Sequence, residues 1–105
     1  MSITITVLYP NDAGSKFDED YYVNTHVPLV REKWGGAGMN NLSVVKGAAT
    51  PDPNTPPPYQ WIAILDFENI EAFQGAVAAS GAEVMGDIPN FTDVTPVVQI
   101  NKNMG

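Results

Sequence analysis

The sequence contains no cysteine and only one histidine, His26. Lack of cysteine excludes disulfides, thiol nucleophiles and iron–sulfur clusters. With one histidine, carboxylates are the only other strong metal ligands, and no metal site is predicted. In "DED" (18–20) successive acids point to different sides of a helix, as in a solvated first turn. Basic residues are scarce: five Lys and Arg stand against twelve acids, a net charge of −7. That field repels nucleic acid and anionic membranes, so neither is expected as a partner. No apolar run approaches the roughly 18 residues of a membrane span. The opening "MSITITVLYP" lacks the basic segment and apolar core of a signal peptide, which with the missing cysteines predicts a cytoplasmic location. "WGGAG" (34–38) has neither the Lys-Ser/Thr nor the preceding strand of a phosphate loop, and no serine lies in a G-x-S-x-G elbow.

What is present reads as one globular domain over residues 1–105, with 44% hydrophobic and 16% charged residues. "SITITVLY" (2–9) alternates strictly and predicts a strand. Ser15 and Asp18 resemble a capping box, predicting a helix from about Lys16 to Trp34 with a kink at His26–Pro28. Further strands are predicted at 42–48, 59–67 and 93–100, with a helix at 68–79. Ser80 and Glu83 have capping-box spacing, predicting a separate short helix through Gly86. The order is strand, helix, strand, strand, helix, strand: an α+β ferredoxin-like βαββαβ sandwich, with a four-stranded antiparallel sheet and two helices on one face.

Two helices cover one face of such a sheet. Trp61, Ala63, Leu65 and Phe67 point one way, yet Ile62 and Ile64 point the other. Both faces therefore need cover, and a homodimer packed sheet to sheet into a shared barrel supplies it.

His26 follows Tyr22 by four residues, so the two can share a helix face. An imidazole titrating near neutrality can act as base or acid, or be a hydrogen-bonded structural residue at a helix end. Tyr21, Tyr59, Trp61 and Phe91 are candidate walls for a small apolar ligand, with Gln99 and Thr95 as polar contacts from the last strand. Tyr59 and Trp61 are expected on one strand face.

Phe17, Tyr21 and Tyr22, then "THVPLV" (25–30), resemble the signature of the EthD family, small proteins associated with ethyl tert-butyl ether degradation. "IPNFTDVTPVVQI" (88–100) resembles the end of the same family. The resemblance implies a dimeric α/β barrel with a cavity between helix and sheet, and it points to His26 and Tyr22. Related barrels include cofactor-free oxygenases, decarboxylases and cyclases on polyketide-like or phenolic compounds, and haem binders. Three functions follow as expectations. One is a catabolic enzyme without a cofactor, in which His26 moves a proton and Tyr22 or Tyr59 binds an oxyanion. The second is a carrier or accessory protein for an oxygenase system. The third is a haem barrel with His26 as axial ligand, which lacks a basic cluster to hold the propionates.

Overall fold

The computed structural model describes residues 2–105. Strand β1 (Ile3–Pro10) leads into a helix in three parts: α1 (Glu19–Tyr21), a π-helical turn (Tyr22–His26) and α2 (Val27–Trp34). Strands β2 (Met39–Lys46) and β3 (Tyr59–Phe67) follow, then α3 (Ile70–Gly86), a 3-10 turn (Ile88–Asn90) and β4 (Val97–Lys102). The strands form one sheet in the order β2-β3-β1-β4, every pair antiparallel. This is the ferredoxin-like βαββαβ arrangement. Among the described residues, no helix is long and apolar enough to cross a membrane.

Strand alternation sorts the sheet into two faces. On the helix side, Val44, Ala63, Val7 and Val98 lie abreast across four strands, and Leu42, Leu65, Ile5 and Ile100 form the next row. On the other side, Val45, Ile62, Leu8 and Val97 form an apolar row, while Asn41, Asp66, Thr4 and Asn101 form a polar one. Among the described residues no helix covers the apolar row: Val45 is 47% exposed and Val97 48%, and Ile62 and Leu8 between them are half-buried.

The helical segment differs from its sequence reading in an instructive way. It starts at Glu19 rather than near Lys16, because Asp18 is itself the cap: its carboxylate accepts the Tyr21 N–H at 3.1 Å. The kink expected near Pro28 is a widened turn. Proline has no N–H to offer the Asn24 carbonyl, and the chain absorbs this by bonding the Val27 N–H to the carbonyl of Tyr22, five residues back. The break predicted at Ser80 does not occur, and α3 runs unbroken from its Asn69 cap, whose side chain accepts the Ala72 N–H at 2.8 Å. The last strand begins at Val97, after Pro96 rather than across it. A bulge between Tyr9 and Pro10 sets Tyr59 opposite Pro10, on the outer face, away from Trp61.

Candidate functional site

Between the helices and the sheet lies a cavity of about 310 Å³. Its floor is the two helix-side rows apart from Ile100, where the small side chain of Ala63 leaves room beside Val7 and Leu65. Its roof is His26 of the π turn, then Val27, Val30 and Trp34 on one face of α2, and Val77, Val84 and Met85 of α3. The lining is almost wholly apolar. The functional groups in it are His26, the phenols Tyr9 and Tyr22, and the indole of Trp34.

The π turn delivers both Tyr22 and His26 to this cavity. Their rings stack at 5.8 Å with 17° between planes, and Phe91 packs against both, its centroid 4.7 Å from the imidazole and 5.0 Å from the Tyr22 ring. His26 is 5% exposed. Its Nδ1 lies 2.9 Å from Oδ2 of Asp87, the residue that ends α3. Tyr21 donates its hydroxyl to the other carboxylate oxygen at 2.6 Å, and Asn90 donates its amide to the same atom at 2.9 Å.

The protonation state follows from these contacts. Burial alone raises the Asp87 pKa, but the hydrogen bonds from Tyr21, Asn90 and His26 outweigh it and hold the carboxyl below its ordinary value. An ionised carboxylate can only accept, so Nδ1 of His26 carries the hydrogen. Burial lowers the His26 pKa, and the Asp87 hydrogen bond and charge offset this only in part. The imidazole is therefore neutral at neutral pH. Its Nε2 holds a lone pair and has no hydrogen-bond partner among the described residues. An oriented neutral imidazole in an apolar cavity can take a proton from a bound molecule.

Of the residues singled out in the sequence, His26 and Tyr22 line the cavity. Tyr21 does not, and acts on Asp87 instead. Phe91 backs the imidazole from behind the cavity wall. Trp61 is buried beside the site, its indole donating to Glu19 Oε2 at 3.0 Å while Lys46 pairs with the same carboxylate at 2.7 Å. Tyr59 and Gln99 are remote from the cavity: Gln99 is exposed on β4 and bonds Asn101, and Thr95 precedes the strand. Sequence reasoning passed over Asp87 and Tyr9. Asp87 carried one signal, a carboxylate at the C-terminal end of a helix, where the helix dipole disfavours it. Tyr9 carried none, being one more apolar-face residue of an alternating strand.

Residues 15–95 match the EthD domain family. An EthD-like protein from Ralstonia eutropha is 35% identical with a TM-score of 0.90, covering 96% of this chain and 90% of its own. Two distant structures share the fold. One is a variant of SnoaB, a cofactor-independent oxygenase from Streptomyces nogalater, at 9% identity and a TM-score of 0.70 over 99% of this chain and 94% of that one. The other is a dimeric ferredoxin-like protein from Thermobifida fusca, at 12% identity and a TM-score of 0.63 over 98% and 92%. No curated protein matches the chain.

Proposed function

Because this chain belongs to the EthD domain family, we propose that it is a homodimeric enzyme that binds a small apolar organic compound and deprotonates it with His26. The observation that carries this reading is the His26–Asp87 pair facing an apolar cavity. Asp87 orients the ring and stabilises the imidazolium once the proton has moved, while Nε2 meets the ligand. Tyr22, whose hydroxyl has no partner among the described residues, donates a hydrogen bond to the anion that forms. SnoaB shares the fold and works without a cofactor, which fits chemistry carried by the protein's own side chains. The apolar outer row is the surface that a second copy would cover, as the dimeric fold neighbour suggests.

The test is a panel of small apolar phenols, ketones and carboxylic acids. Binding is followed through the ring resonances of the lone histidine, and turnover by loss of the compound. His26→Gln should keep the fold and the binding while lowering turnover by roughly 10²–10⁴-fold. Turnover at the wild-type rate in His26→Gln would remove the base assignment. Binding with no turnover of any compound would make the protein a carrier instead.

A further inference from the structure

Two phenols share the cavity with His26. Tyr9 comes from β1 and Tyr22 from the π turn, and their rings meet edge to face with centroids 5.6 Å apart. Each residue is 1% exposed. The Tyr22 hydroxyl is buried with no hydrogen-bond partner, and among the described residues none bonds the Tyr9 hydroxyl. A buried hydroxyl such as that of Tyr22 is rarely left this way. The neighbouring Tyr21 shows that this region does supply partners, since its hydroxyl is bonded to Asp87. Phenylalanine at 9 and 22 would fill the same space without an unbonded hydroxyl, and the Trp34 indole N–H, which lines the same cavity, is likewise buried without a partner. A bound acceptor explains why two adjacent phenols of one cavity both lack a partner.

Burial pushes both phenol pKa values far up, so each hydroxyl keeps its proton and can donate it in a hydrogen bond. Two donors meeting one acceptor beside a neutral base is an arrangement suited to a negative charge that develops on oxygen. Resting on the base role of His26, we propose that Tyr9 and Tyr22 together bind the carbonyl oxygen of an enolisable ketone whose α carbon faces Nε2. Tyr9 is then a catalytic residue and the substrate class is an apolar carbonyl compound with an acidic C–H. In the step itself, Nε2 takes the α proton. The electrons of the broken C–H bond form the C=C bond, and the carbonyl π pair moves onto oxygen. Tyr9 and Tyr22 hold that oxyanion, and Asp87 faces the new imidazolium. Return of the proton to carbon restores neutral His26, so the cycle needs no oxidant or reductant.

The probe is 2-tetralone, a bicyclic apolar ketone, incubated with the protein in deuterium oxide while loss of its α-proton signals is followed by NMR. The wild-type protein should accelerate exchange over buffer. Tyr9→Phe and Tyr22→Phe should each slow it by on the order of 10²-fold. Neither variant should lower the melting temperature, because each removes a hydroxyl that has no hydrogen-bond partner among the described residues. Exchange by Tyr9→Phe at the wild-type rate, with His26→Gln inactive, would overturn the role of Tyr9 while leaving the base reading intact. No acceleration of 2-tetralone exchange, alongside His26-dependent turnover of a phenol or acid, would overturn the carbonyl assignment alone. Undiminished exchange by His26→Gln would overturn both.

Discussion

Asp87 occupies an electrostatically awkward position at the C-terminal end of α3, where the helix dipole opposes a negative charge. Three donors stabilise it there, and one of them is His26. The pair predicts a particular pH behaviour. Burial lowers the His26 pKa, so the acid limb of the rate profile should lie below the ordinary imidazole value. Asp87 raises that pKa through its hydrogen bond and charge. Asp87→Asn should therefore move the acid limb of the rate profile to still lower pH. It should also reduce the plateau rate by roughly 10²–10⁴-fold, because an amide no longer selects the tautomer. An acid limb that moves up, or a plateau that is unchanged, would count against the pair. His26 was legible in the sequence as the lone histidine beside two tyrosines. Asp87 was not, because the two are 61 positions apart and only the return of α3 to the π turn brings them together.

At the scale of elements, the widened turn at Tyr22–His26 and the small residue in β3 make the site. Proline at position 28 denies the helix one backbone bond, and the chain gains a residue per turn where the functional side chains emerge. The sequence showed that Pro28 must disturb the helix. It could not show whether the disturbance would be a bend or a π turn, since that depends on packing against β1 and on the stack of Tyr22 over His26. Likewise a bulge at Pro10 turns Tyr59 outward, and a one-residue shift in pairing leaves no mark on the hydrophobic alternation. In β3, Ala63 stands between Val44 and Val7 under the roof of α2. Ala63→Leu should fill part of the cavity floor, leaving the protein folded while weakening binding of any cavity ligand by about tenfold or more. Titration calorimetry with a compound bound by the wild type checks this, and undiminished affinity would move the ligand site elsewhere.

For the molecule as a whole, alternation in β3 shows that both sheet faces carry apolar side chains. Residues 59–67 point apolar side chains both ways, and the helices cover only one of those faces. The row of Val45, Ile62, Leu8 and Val97 is left to water in a single chain. Burying such a row between two copies gains about 25 cal/mol per Å². A lysine in its middle would place an unpaired charge there on each copy. Ile62→Lys should thus convert a dimer to a monomer in analytical ultracentrifugation at micromolar concentration. A variant that stays dimeric would place the contact on another surface. The strands, the helices and their order were readable from periodicity, because side chains repeat every two residues in a strand and every three or four in a helix. The cavity was not, since its walls come from β1, β2, β3, β4, the π turn, α2 and α3, residues brought together only by the tertiary fold.

The central claim is that His26 is a neutral base oriented by Asp87, and the lone histidine makes it directly measurable. Nitrogen-15 NMR of the uniformly labelled protein, titrated with pH, reports one imidazole without ambiguity. The structure predicts hydrogen on Nδ1, a free lone pair on Nε2 and a pKa below 6.5. Hydrogen on Nε2, or a pKa at or above 6.5, would contradict it.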